Sequence, residues 1–221
     1  MVKSSPNLSR RALRPDDGRL RRGRRSRARI RQAARALFRE RGFDRTTLRA
    51  IAARAGMGAS SIYRHIRSKE ELLVDELAEL QEEAWRRFRS QDDRVVSTRD
   101  RVRHFLEFEH ALLAGDADFT IVALRATTHP EARVARRVLA LQDRTVGLLT
   151  EILLAGRARG ELARHVDPIS AARAVCQVTS GARIAWANGM LSADACREAV
   201  ESAVELLFGG IEARPGIPAP A

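Results

Sequence analysis

An all-α protein of about nine helices is the fold class this sequence predicts, and three observations carry the expectation. Between residues 20 and 213 the only prolines are Pro130 and Pro168, and both sit where a helix would begin. No segment alternates apolar and polar residues with the period of two that a half-buried strand requires. Apolar residues recur instead at spacings of three and four, as along one face of a helix. The expected helices are 27–41, 48–55, 59–65, 69–90, 97–114, 117–126, 130–159, 168–188 and 192–209. Asp167-Pro168 is a strong start signal, with aspartate as cap and proline at the first helical position. His129-Pro130-Glu131 is a weaker one.

The charge is unevenly spread. The chain carries a net +12. Up to residue 72 there are 21 basic and 6 acidic residues, 21 − 6 = +15; the remainder has 19 and 22, 19 − 22 = −3. A basic end on a near-neutral body suits a polyanion contacted by one part only, although a solvated arginine-rich tail would have the same composition. Four segments follow: a basic arm over 1–25, expected to be disordered for lack of apolar residues; a compact module over 26–72; a helical body over 73–213; and a flexible tail over 214–221.

Within 26–72 the first helix lines up Ile30, Ala33, Ala34, Leu37 and Phe38 on one face, and Gly42 ends it. Thr47 caps a second helix whose inner face is Ile51, Ala52 and Ala55. Gly56 tolerates the positive φ of a sharp interhelical turn, Met57 plugs that turn, and Ile62 turns a short third helix inward. The side chains left outside are Ser60, Ser61, Tyr63, Arg64 and His65, all able to hydrogen-bond and none acidic. Such a helix suits phosphates and base edges in a major groove. The helix-turn-helix spans about 47–66. Ser68 can cap the next helix, and Lys69 at its start can clamp a phosphate together with the free backbone amides.

The run Thr46-Thr47-Leu48-Arg49-Ala50-Ile51-Ala52-Ala53-Arg54-Ala55-Gly56-Met57-Gly58-Ala59-Ser60-Ser61-Ile62-Tyr63-Arg64-His65-Ile66-Arg67-Ser68-Lys69-Glu70-Glu71-Leu72 closely resembles the signature of the tetracycline-repressor (TetR) family. Ala33-Ala34, Leu37-Phe38 and Gly42-Phe43 match that family's first helix. Two positions depart: Gly58 stands where serine is common, and Ile66 where an aromatic is usual. The resemblance implies that Tyr63, His65 and Lys69 grip the phosphate backbone and that Thr47 caps helix two while touching phosphate. It implies that Arg49, Ala59, Ser60 and Arg64 lie nearer the bases; Ser61 is a candidate DNA contact from its place in the outward set alone. Tyr63 as partial core and Arg49 as a solvated charge remain open alternatives.

The resemblance also implies a C-terminal domain that binds an effector and pairs through its last two helices with a second subunit. The residues support the pairing. Ala171, Ala174, Val178, Ala182 and Ala185 form a small-residue stripe on 168–188, and Ala195, Ala199, Ala203, Leu206 and Leu207 a facing one on 192–209. An intrachain contact would use the same stripes. Candidate lining for the implied cavity is Trp85, Phe88, His104, Phe105, Phe108, Phe119, Thr127 and Trp186, with His110 a further polar candidate; plain core is the alternative for each.

Other functions find little footing. The five histidines are scattered, and there is no nucleophile elbow or glycine-rich phosphate loop, so no enzyme, metal site or cofactor is expected. Cys176 and Cys196 lack metal spacing and read as small hydrophobes, with redox sensing the alternative. No run of 18 apolar residues exists and no apolar segment follows the N-terminal arginines, so neither a membrane span nor a secretory signal is expected. The expectation is a cytoplasmic homodimer, not an enzyme, that binds an inverted-repeat operator in double-stranded DNA and responds to a small molecule, as a repressor. The alternative is an architectural or protein-partnered DNA binder without an effector.

Overall fold

The computed structural model describes residues 15–128 and 130–211. Nine helices lie among them: α1 Pro15–Arg41, α2 Leu48–Arg54, α3 Ala59–Ile62, α4 Lys69–Gln91, α5 Thr98–Ala114, α6 Ala117–Thr128, α7 Ala132–Ala158, α8 Pro168–Ala187 and α9 Ala193–Ile211. They form two compact units, Met1–Arg67 and Ser68–Ala221. The expected tail over 214–221 and the start of the arm lie outside the described residues.

One boundary differs substantially from expectation. The arm over 1–25 was expected to be disordered, yet α1 begins at Pro15 and its first eleven residues fall within that arm. Low hydrophobicity rules out burial of this segment, but it does not rule out a helix. Arginine is a good helix former, and proline is pre-organised for a first helical turn.

In the first unit Ile30, Ala34, Leu37, Ile51, Ala52 and Ile62 are buried together with Ile66. The turn after α2 is a Schellman motif: the Met57 amide donates to the Ala52 carbonyl at 2.9 Å and the Gly56 amide to that of Ala53 at 3.1 Å. Gly56 accordingly sits at φ +65°, a conformation that costs a side-chain-bearing residue. Thr46, buried between helices, satisfies its hydroxyl by donating to the Gly42 carbonyl at 2.8 Å.

The second unit is a helical bundle. Trp85 and Phe88 of α4 stack at 5.3 Å between ring centroids, and Phe105 of α5 meets them edge-on at 5.5 and 5.8 Å. Leu149 and Leu153 of α7, Val175 of α8 and Phe208 of α9 complete this core. Asp167 caps α8 by accepting from the Ser170 amide at 2.9 Å. Among the described residues no helix is long and apolar enough to cross a membrane.

Among the described glycines, Gly156 is the one with no room for a side chain. A Cβ there would fall 2.8 Å from Thr98 Cβ and closer still to its hydroxyl. Thr98 cannot simply turn away, because its Oγ1 and its amide both donate to Glu161 Oε2, at 2.7 and 2.6 Å. Gly156→Ala is therefore expected to cost about 1–3 kcal/mol. In a domain of this size that lowers the melting temperature by roughly 2–4 °C per kcal/mol. A thermal melt checks it; an unchanged midpoint would mean that α5 and α7 separate at no cost.

Candidate DNA-reading surface and ligand cavity

The candidate reading surface is formed by α2 and α3. Thr47 is in extended conformation and its Oγ1 accepts from the Ala50 amide at 3.1 Å, so the cap expected from sequence is present. Gly58, the N-cap of α3, offers no side-chain bond, which matches its departure from the usual serine. Arg49, Ala59, Ser60 and Arg64 are exposed, and Ser61 is half-buried. Arg64 Nη2 donates to Ser61 Oγ at 3.1 Å, which holds the guanidinium over the helix. Tyr63 is 58% exposed, so it is an outward residue and not core. α3 ends at Ile62, and Tyr63 to His65 continue as a turn. Lys69 opens α4 in the second unit, and Ser68 caps that helix by accepting from the Glu71 amide at 3.1 Å.

His65 is half-buried, and its pKa lies below the usual imidazole value. Partial burial is the largest cause, followed by the positive charges of Arg27 and Arg64. The shift favours the neutral imidazole, which can donate from one ring nitrogen and accept at the other.

The second unit contains a cavity of about 110 Å³ between α4, α5, α6, α7 and α8. Leu77 and Leu141 supply apolar wall, while Gln81, Thr127, Thr179 and Arg183 bring polar groups to it. Gln81 Nε2 donates to Thr145 Oγ1 across the α4–α7 boundary. Glu109 and Arg183, also in the lining, form a buried ion pair at 2.7 Å. Gln81 Oε1 and Arg183 Nε are buried without a hydrogen-bond partner among the described residues. Cys176 is also in the lining, and burial raises both its thiol and that of Cys196, which disfavours thiolate at either.

Most of the lining expected from sequence is elsewhere. Of the eight candidates only Thr127 reaches this cavity. Trp85, Phe88 and Phe105 are core. Phe119 is buried, and Trp186 is buried against His110 at 5.7 Å between rings. His104 and Phe108, with one edge of Phe88, line a separate hollow of about 390 Å³ near the end of α4. Trp85, Phe88 and Phe105 pack against one another in the core, and the cavity between α4 and α8 is lined by shorter side chains. The residues that were missed left one signal: Gln81, Thr145, Thr179 and Arg183 interrupt otherwise apolar helical stripes.

Comparison with known proteins now decides the family. The profile described as "Bacterial regulatory proteins, tetR family" matches residues 30–75. The chain is 30% identical over 189 residues to the HTH-type transcriptional repressor KstR of Rhodococcus jostii (strain RHA1), covering 86% of this chain and 85% of that protein. The chain belongs to the TetR family. The structure of Thermus thermophilus FadR, a TetR-family repressor in complex with lauroyl-CoA, aligns with a TM-score of 0.68 at 25% identity, over 88% of this chain and 99% of that one. Bacillus subtilis FadR in complex with stearoyl-CoA aligns with a TM-score of 0.66 at 22% identity, over 83% and 98%. This TetR-family chain is thus a DNA-binding transcriptional regulator with an N-terminal helix-turn-helix domain, in which α2 and α3 form the candidate reading pair.

Proposed function

We propose that this regulator is a cytoplasmic repressor that binds an inverted-repeat operator as a homodimer and leaves it when an amphipathic acyl thioester enters the α4–α8 cavity. The observation that carries the reading is the cavity itself: apolar walls with two buried polar atoms, Gln81 Oε1 and Arg183 Nε, that lack partners among the described residues. Buried polar groups are ordinarily satisfied, and a ligand oxygen or amide would satisfy these. The acyl class is suggested by the lauroyl-CoA in the FadR relative.

At about 110 Å³ the cavity is smaller than the ~300–1,000 Å³ typical of ligand pockets, so a long chain enters by pushing its walls apart. One of those walls is α7, which contributes Val138, Leu141, Gln142 and Thr145. Arg137, on the same helix, is paired with Glu71 and Asp75 in the first turns of α4. α4 follows directly on the DNA-binding unit. A displaced α7 thus pulls on the start of α4, and the ligand favours the state in which that displacement has occurred.

Pairing through α8 and α9 is supported by what their small stripes are doing. Ala172, Val175, Thr179, Cys196, Val200 and Val204 are buried within the chain, while the neighbouring stripes, including Val178 and Leu206, are half-exposed or exposed.

A melt with lauroyl-CoA, laurate and CoA separately tests the effector. At one hundred times the dissociation constant, lauroyl-CoA is expected to stabilise by about 2.7 kcal/mol, a rise of several degrees. Leu141→Trp, which fills the cavity, should abolish the rise. No rise with any of the three would favour a DNA binder without such an effector, and a rise unchanged in Leu141→Trp would move the ligand elsewhere.

A further inference from the structure

We infer that the first half of α1 is a preformed cationic rod that lies along the phosphate backbone of the DNA flanking each half-site. This rests on the reading of α2–α3 as the DNA-binding element. From Gly18 to Arg39 the chain has ten arginines and no acidic residue. Arg21, Arg22, Arg24, Arg25, Arg27 and Arg29 are all exposed, and no residue of 21–29 is buried. The helix commits a face to the core only from Ile30 onward. At ~1.5 Å per residue, the stretch from Gly18 to Arg29 spans about 18 Å, beyond the Asp16-Asp17 pair in the first turn. That is long enough to follow several phosphates.

The rod begins beside the reading surface. Arg27 lies within electrostatic reach of His65, at the end of the α3 turn, and so does Arg64. A duplex held at α3 therefore meets an uninterrupted basic extension of the same unit. The helical form decides which part of the duplex it meets. An α-helix is about 10–12 Å across with its side chains. The minor groove is only ~6 Å wide, so this segment cannot enter it as extended basic arms do. Its guanidinium groups reach phosphate oxygens instead, which position a protein without carrying sequence information. Flanking DNA is then recognised by its length and charge, not by its bases.

The test uses the full-length protein and a long duplex enriched by it from a random pool, together with the same duplex trimmed to its inverted repeat. The variant carries Arg21→Gln, Arg22→Gln, Arg24→Gln and Arg25→Gln, since glutamine retains helix propensity. A control removes four exposed arginines of the other unit: Arg94→Gln, Arg136→Gln, Arg164→Gln and Arg173→Gln. With one or two contacts per arm at ~0.9 each, the variant's slope of log affinity against log salt should flatten by about 2–4 per dimer. The variant should also lose the wild type's preference for the long duplex over the trimmed one, with its melting temperature unchanged. The control should keep both the slope and the preference, and exchanging A·T for G·C in the flanks should alter little. An unchanged slope and length preference in the variant would overturn the inference, as would an equal flattening in the control. Strong dependence on A·T flanks would overturn it in favour of an extended minor-groove arm. Failure to enrich any duplex would bring down the DNA-binding reading itself, and this inference with it.

Discussion

Val178→Glu combined with Leu206→Glu is expected to turn the protein into a monomer and to weaken operator binding by about 10²–10⁴-fold. Val178 is 42% exposed and Leu206 80% exposed, so neither is needed to complete its own chain's core. Each stands on a small-residue stripe that a second copy of α8 and α9 would cover. Glutamate at both positions puts four carboxylates in a two-fold interface, where like-charge repulsion and the cost of desolvating each carboxylate act together. Tethering two reading units makes engagement of the second half-site intramolecular, and that advantage is what the variant loses. Sedimentation and a binding titration check the two parts independently. Ala182→Trp adds bulk to the same stripe but is a less clean probe, because Ala182 also packs against the bundle core. A double variant that remained dimeric would move the interface away from α8 and α9.

The second large effect separates affinity from sequence preference. Arg64→Ala is expected to cost about 1–3 kcal/mol per half-site on the operator and little on scrambled DNA, as loss of a base-edge contact does. Ser60 substitutions should act in the same sense. Tyr63→Ala and Lys69→Ala should weaken binding to both duplexes alike, because phosphate contacts position the protein without reading sequence. Arg64 is already oriented by Ser61 Oγ, so little ordering remains to oppose its contact. Competition titrations of the wild type and each variant on the operator and a scrambled duplex separate the two effects. If Tyr63→Ala left both affinities unchanged, the outward face assigned to the 59–65 segment would be wrong.

Much of this architecture was legible in the residues, and the exceptions have physical reasons. The α2–α3 turn could be read closely because its determinants are local: a cap at Thr47, a positive φ at Gly56, an inward Ile62. The start of α1 is not legible from polarity, because a segment too polar to be buried can still be helical. The cavity was the harder problem. Leu77, Gln81, Trp85 and Phe88 occupy one stripe of α4, yet Leu77 and Gln81 line the cavity while Trp85 lies in the packed core. Periodicity finds the interior face of a helix. It does not distinguish interior that is filled from interior that is open, since that depends on how five helices diverge. The tie from Arg137 to Glu71 and Asp75 was likewise invisible, because it joins residues more than sixty positions apart.

On the proposed mechanism, occupancy of the cavity and occupancy of the operator oppose each other. The most direct measurement is the affinity of the full-length protein for its enriched duplex during a titration with lauroyl-CoA, with CoA and laurate in parallel. An allosteric coupling of about 1–3 kcal/mol predicts that saturating lauroyl-CoA weakens DNA binding by roughly 5–150-fold. CoA alone should do nothing, and Leu141→Trp should bind DNA normally and be insensitive to the thioester. DNA affinity that stays constant at lauroyl-CoA concentrations sufficient to raise the melting temperature would contradict the account.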